Sequence, residues 1–311
     1  MSEVSDAHDD RTISRRALLA LMAAAAAGGG APGAGASAIV ERAIPSSGER
    51  IPAVGLGTWR TFDVGGAAAE RDPLRDVLKQ FVALGGRVID SSPMYGAAEG
   101  VVGDLAAELT VQDKLFLATK VWTRGRAAGV AQMDESMRRL RTTRMDLMQI
   151  HNLVDWHTHL ATLRERKQQG RIRYLGITHY TASSYDELER VLRDETVDFV
   201  QVNYSLGERD AERRILPLAR ERGVAVLVNR PFSEGNLFSR VRGQALPAWA
   251  AEIGCESWAQ IFLKWILAHP AVTCVIPATS RPQHLADNMR AGAGALPDAA
   301  MRERMAAAVA R

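Results

Sequence analysis

Eight short apolar, β-branched runs recur along this chain: VGLGT, RVIDSS, LFLATKV, MDLMQIH, IRYLGIT, FVQVNY, AVLVNRP and CVIPATS. Runs of this kind read as parallel strands buried on both faces. Stretches of helical periodicity separate them, among them RDPLRDVLKQFVALG and DAERRILPLARERG. Gly85, Gly170 and Gly223 close three of those stretches, where glycine commonly ends a helix. Eight β/α alternations with one composition throughout predict an α/β chain closed into a (β/α)8 barrel. A doubly wound sheet would want a GxGxxG phosphate turn after its first strand. VGLGTWRTF lacks the third glycine and opens no helix, so that alternative is rejected. Ahead of the first run, IVERAIPSSGERIPAV reads as a short hairpin, turning at Ser47-Gly48, that closes the barrel bottom.

Three of the runs lead into residues that can handle protons: Asp90 and Tyr95 in RVIDSSPMYG, Lys120 in LFLATKV, and His151 in MDLMQIHN. In such a barrel the strand C-termini surround one mouth, and catalytic groups gather there. Taken singly, each has a plain structural reading. Asp90 could cap a helix, Tyr95 could pack, Lys120 could be a solvated strand end and His151 a core histidine. An acid, a phenol, an amine and an imidazole on consecutive strands instead form a set suited to proton transfer.

Composition narrows the class. The chain has 311 residues, 47% of them hydrophobic, and a formal charge of +3, too small to point to nucleic acid. Cys255 and Cys274 show no metal-ligand spacing, and no metal is expected. A disulfide between them stays open, with Cys274 read as a small buried hydrophobe. His157 and His159 lack a third ligand and read as surface histidines. Residues 1–38 read as an export leader: Arg15-Arg16 precede an Ala/Gly-rich run and Ala36-Ser37-Ala38 offers a cleavage site. The expectation is a Tat signal peptide over 1–38, a barrel over 39–311, and a periplasmic product. An uncleaved membrane anchor is the weaker alternative, because Gly28-Gly29-Gly30 and Pro32 interrupt the run.

VGLGTW at 54–59, the four proton-handling residues, GIT at 176–178, QVNY at 201–204 and VIPATSRPQHLADN at 275–288 together resemble the aldo-keto reductase superfamily. The resemblance runs from about Ile44 to Asn288. It implies an oxidoreductase that reduces aldehydes or ketones to alcohols, with Tyr95 as general acid. A free tyrosine has a pKa of about 10. Lys120 would favour the phenolate, Asp90 would hold Lys120, and His151 would orient the substrate oxygen.

The resemblance also implies NADPH, with NADH less favoured, lying extended across the barrel mouth beside Gly57 and Thr58. Thr178, His179 and Gln201 match the residues that hold its carboxamide, although the family usually has Ser-Asn where this chain has Thr178-His179. Many members place a stacking aromatic at Asn229; here Arg230 offers a guanidinium instead. Pro231, Phe232, Ser233, Gly235 and Leu237 match the segment that straps the pyrophosphate. Thr279, Ser280, Arg281, His284, Asp287 and Asn288 match the adenosine-phosphate clamp, with Arg281 at the 2′-phosphate. The same stretch also reads as a helix start capped by Ser280, and helix N-termini bind phosphate as well. Trp59, Trp122 and Trp156 would form an apolar slot for a small carbonyl substrate. A slow-turnover sensor that binds nicotinamide is the alternative from another class. The expected partners are the substrate and, during export, the Tat translocase; a monomer or small oligomer is expected.

Overall fold

The computed structural model describes residues 39–310. The expected leader, its cleavage site and its export route fall on residues 1–38, outside the described residues.

The chain begins with an antiparallel hairpin, β1 (Glu41–Ala43) and β2 (Arg50–Pro52). Its turn contains Gly48 at φ +77°, a left-handed conformation that glycine takes without a Cβ clash. The barrel strands follow: β3 (Leu56–Gly57), β4 (Val88–Asp90), β5 (Phe116–Val121), β6 (Met145–His151), β7 (Ile172–His179), β8 (Phe199–Asn203), β9 (Ala225–Asn229) and β10 (Cys274–Val275). They form one sheet in sequential order with every pair parallel. Parallel bridges Val54–Val275 and Gly57–Ala278 join the first strand to the last, so the sheet meets itself. This is the (β/α)8 barrel that the eight runs predict.

Helices cover the outside between successive strands: α1 (Ala68–Ala83), α2 (Ala98–Glu108), α3 (Arg126–Arg139), α4 (Trp156–Gln168), α5 (Tyr185–Asp194) and α6 (Ile215–Glu221). The short α7 (Asn236–Arg240) and α8 (Trp258–Leu267) separate β9 from β10, and α9 (Pro282–Arg290) and α10 (Ala299–Val309) end the described chain. In α1 the buried residues Leu74, Val77, Leu78 and Phe81 recur at the three- and four-residue spacing of one helix face. Gly85, just past that helix, sits at φ +84° and donates its N–H to the Val82 carbonyl, ending the helix as expected.

The core has two parts. The larger lies between strands and helices. The smaller fills the barrel interior at its N-terminal end: Val88, Phe116, Leu147, Tyr174, Phe199 and Leu227, joined by Ile44 and Ile51 of the hairpin. Ile44 and Ile51 are fully buried, so the hairpin plugs the bottom of the barrel. Burial of each isoleucine is worth about 1.5–3 kcal/mol. Arg42 ties the plug to the shell, donating to the carbonyls of Leu267, His269 and Val272. With the bottom sealed, the mouth at the strand C-termini is the open end.

One sequence reading is corrected. His157 and His159 lie in the first turn of α4; His157 is exposed, but His159 is no surface histidine, being fully buried with Nε2 2.7 Å from the Thr123 carbonyl oxygen. Its ring packs where a Cβ on Gly129 would otherwise sit, so glycine at 129 makes the room. Both cysteines are buried and free, and burial pushes the Cys255 thiol up to about 11. Among the described residues no helix is long and apolar enough to cross a membrane, and no cluster of side chains could hold a metal ion.

Candidate active site

At the C-terminal mouth a cavity of about 460 Å³ opens, lined among others by Trp59, Asp90, Tyr95, Trp122, His151 and Arg230. Asp90 is the last residue of β4, Lys120 lies next to the end of β5, and His151 ends β6. Tyr95 follows β4 in a turn whose N–H is held by the Ser92 carbonyl at 3.0 Å. Parallel pairing in register brings the three strand ends side by side.

Lys120 is completely buried, and its ammonium donates to Asp90 Oδ2 at 2.7 Å and to the Ser91 carbonyl at 2.7 Å. Its Nζ also lies 5.2 Å from the centroid of the Tyr95 ring. Burial opposes the ammonium charge, but attraction to Asp90 and Tyr95 outweighs it, so the Lys120 pKa is held above its usual value. Asp90 Oδ1 accepts from the Gln201 amide at 3.0 Å and from the Gln149 amide at 3.2 Å. The carboxylate is thus satisfied by one cation and two neutral donors.

Tyr95 departs from the simplest expectation. Burial pushes its phenol above the ordinary range, and the nearby carboxylate of Asp90 adds to that, while Lys120 and Arg230 pull it down without prevailing. Lys120 does favour the phenolate, but the cost of burying that charge outweighs it. The result is a phenol that keeps its proton at neutral pH, the state a proton donor needs. His151 is pushed down to about 2, first by burial and then by the charge of Lys120, so its imidazole is neutral. Its ring meets that of Tyr95 edge-on, with centroids 6.0 Å apart.

The expected cofactor residues divide into three groups. Gly57, Thr58, Thr178, Arg230, Pro231, Phe232 and Gly235 line the cavity. Gln201 lies just beneath, bridging Thr178 Oγ1 at 3.3 Å to Asp90, so the pair expected to hold the carboxamide is wired to the proton-handling set. His179 turns aside: its ring stacks on Tyr180 and its Nδ1 accepts the Thr181 N–H at 3.1 Å. In the loop after β9, Arg230, Ser233, Glu234 and Gly235 all have positive φ, and the Ser233 and Gly235 amides are spent on the loop's own carbonyls. Leu237 is buried, and Ser233 Oγ is 2.8 Å from Ser205 Oγ.

Thr279, Ser280, Arg281 and His284 lie at and just before the start of α9, away from the cavity lining. Ser280 does not cap this helix. The N-cap is Arg281, which has no side-chain cap bond, while Thr279 Oγ1 accepts the Arg281 N–H at 3.1 Å. Asn288 is buried. Asp287 spends both carboxylate oxygens on the start of α8, accepting from Ser257 at 2.7 Å and from Gln260 at 2.6 Å.

Of the three tryptophans, Trp59 and Trp122 line the cavity, and Trp122 is 41% exposed at its rim. Trp156 is not in the lining: it begins α4, stacks on His157 and donates its indole N–H to Glu187 at 3.0 Å. The segment before it holds three left-handed residues, Asn152, Leu153 and Asp155. The sequence reading passed over Met94, Asn152, Tyr180 and Glu234, which do line the cavity. The guanidinium of Arg230 sits 4.7 Å from the Tyr180 ring centroid and 5.6 Å from that of Trp59.

The aldo/keto reductase family matches residues 53–308 of the chain, nearly the whole barrel. The chain belongs to the aldo/keto reductase family. The reductase is 30% identical over 256 residues to methylglyoxal reductase YeaE of Escherichia coli (strain K12), covering 80% of this chain and 88% of that protein. Its fold is similar to an aldo/keto reductase from Klebsiella pneumoniae solved with NADP and acetate, with a TM-score of 0.69 and 26% identity over 83% of this chain and 91% of that one. The holo form of an aldo-keto reductase from Bacillus halodurans shares the fold at a TM-score of 0.71, 22% identity, and 87% and 96% coverage. As a member of this family, the reductase is an NAD(P)H-dependent oxidoreductase. Its cavity suits a nicotinamide. Asn152 and Asn229 line it, and each has an Oδ1 without a partner among the described residues, shielded from the cavity as the side chains stand and able to accept an amide N–H once turned toward it.

Proposed function

We propose that this protein reduces small or medium aldehydes and ketones to alcohols with NADPH, in the periplasm after export through its leader. The observation that carries the chemistry is the arrangement of Tyr95 and His151 on the cavity wall above the Lys120–Asp90 ion pair. A dihydronicotinamide held against the cavity lining would supply the hydride for the carbonyl carbon. The Tyr95 hydroxyl gives its proton to the carbonyl oxygen. The neutral His151 ring donates a hydrogen bond to that oxygen and orients it. Lys120 stabilises the phenolate left on Tyr95, and Asp90 keeps Lys120 charged and in place.

The Escherichia coli relative is named a methylglyoxal reductase, which makes methylglyoxal the first substrate to try. The Klebsiella relative's complex with NADP supports the phosphorylated cofactor. The test is steady-state reduction of a panel of aldehydes by wild type and Tyr95→Phe. We expect kcat to fall about 10²–10⁴-fold while NADPH binding, read by fluorescence, is unchanged. Equal turnover by the two proteins would remove the acid role.

A slow-turnover nicotinamide sensor is the second reading. Asn229 favours it, since this residue cannot stack on a nicotinamide as an aromatic would. Absence of turnover on every aldehyde, with tight NADPH binding, would select it.

A further inference from the structure

Ser92 sits between the two groups that face the substrate oxygen, and it is fully buried. Its carbonyl accepts the Tyr95 N–H at 3.0 Å, and its Oγ lies 3.0 Å from His151 Nδ1. The Met94 N–H also points at Ser92 Oγ, at 3.4 Å. No other hydrogen-bond partner of this hydroxyl is present among the described residues.

We propose that Ser92 is a positioning residue that fixes the tautomer of His151, so that Nδ1 is the acceptor and Nε2–H is the donor presented to the substrate oxygen. The argument is one of hydrogen counting. A neutral imidazole carries a single N–H, on one nitrogen or the other. Were it on Nδ1, it would donate to Ser92 Oγ, and the serine's own hydrogen would be left buried without an acceptor. With the hydrogen on Nε2, Ser92 O–H donates to Nδ1 and its oxygen remains open to the Met94 N–H. Only the second arrangement satisfies every buried group.

The rest of the site agrees. His151 lines the cavity, and its Nε2 has no protein partner among the described residues. The ring is held neutral by burial and by the Lys120 charge, so it does not escape the choice by taking a second proton. In the opposite tautomer, Nε2 would offer a lone pair at the mouth and compete with the substrate for the Tyr95 proton. The orientation of a histidine through its second nitrogen is a general device; here a serine hydroxyl 59 residues away supplies it.

This inference rests on the reading of His151 as the group that orients the carbonyl oxygen, and two readouts separate the claims. Full-length protein labelled with ¹⁵N-histidine, with and without NADPH, gives the tautomer from two-bond ¹H–¹⁵N correlation spectra, with His151 assigned by its loss in His151→Gln. Wild type should show the Nε2–H form, Ser92→Ala a mixture, and Ser92→Thr a return to the wild-type pattern. An Nδ1–H form in wild type overturns the proposal, and so does an unchanged spectrum in Ser92→Ala. Turnover judges His151 itself. We expect kcat/KM to fall about tenfold to a hundredfold in Ser92→Ala, below the ~10²–10³ loss on removing a whole oxyanion donor, and to recover in Ser92→Thr. A shifted tautomer with unchanged turnover would overturn the donor role of Nε2–H.

Discussion

Lys120 and Asp90 pair at 2.7 Å with almost no solvent on either side chain. Taking two charges out of water is costly, and the pair holds because both groups find further partners. Lys120 has the Ser91 carbonyl, and Asp90 has Gln149 and Gln201. Breaking one side leaves the other charge buried and alone. Asp90→Asn should therefore lose about 3–5 kcal/mol of stability in urea unfolding. Asp90→Asn combined with Lys120→Met should recover much of that loss while staying inactive. A single mutant as stable as wild type would show that water reaches Lys120.

His151 makes stability depend on pH. Its folded pKa is pushed down to about 2, against about 6.5 in an unfolded chain. Between these values the unfolded chain binds a proton at this position and the folded chain does not, so falling pH favours unfolding. The contribution is neutral above pH 6.5 and grows more unfavourable below it, at about 1.4 kcal/mol per pH unit. From pH 7 to pH 5 the group should cost about 2 kcal/mol. His269, pushed down to about 4 mainly by burial, acts in the same direction. Urea unfolding at pH 7 and pH 5 should show the loss, and His151→Gln should reduce it by about 2 kcal/mol. Identical losses in both proteins would mean that His151 is protonated in the folded state.

The hairpin plug gives a prediction at the other end of the barrel. Ile51 is fully buried among Phe116, Tyr174 and Phe199, which hold their shape as part of the inner layer. Ile51→Ala should cost about 2–5 kcal/mol through lost burial and the cavity left behind. The site lies at the opposite strand ends, so kcat and KM below the melting range should stay near wild type. A large change in turnover without a change in stability would show that the plug shapes the mouth.

The barrel, and the placement of Asp90, Lys120 and His151 at its mouth, were legible in the sequence because both follow from the strand ends. A buried parallel strand announces itself by its apolar run, and the residue that ends it must stand at the mouth. The runs overstate the regular pairing at the seam. VGLGT is strand only over Leu56–Gly57 and CVIPATS only over Cys274–Val275. There the backbones close tightly enough that a Cβ on Gly57 would meet the Ile276 carbonyl at 2.8 Å, and Pro277 lacks the N–H that would extend the ladder. Ser92 and Gln149 stayed hidden inside apolar runs, because each takes its meaning from a partner 59 residues away. Trp156 is held by Glu187, 31 residues further along the chain, a partner that its neighbours in sequence do not signal.

Arg281 offers the sharpest test of cofactor choice. It is exposed at the start of α9, its backbone N–H is held by Thr279 Oγ1, and its guanidinium forms no ion pair among the described residues. A cation placed there and unpaired is suited to a phosphate that NADPH carries and NADH lacks. A hydrogen bond to a charged group contributes about 1.5–3 kcal/mol, or roughly tenfold to 150-fold in affinity. Arg281→Ala should weaken NADPH binding by that factor in fluorescence titration and leave NADH nearly unchanged. Raising salt should mimic part of the effect in wild type, since an exposed ion pair is screened. Equal weakening of both cofactors would mean that Arg281 supports the start of the helix and does not read the 2′-phosphate.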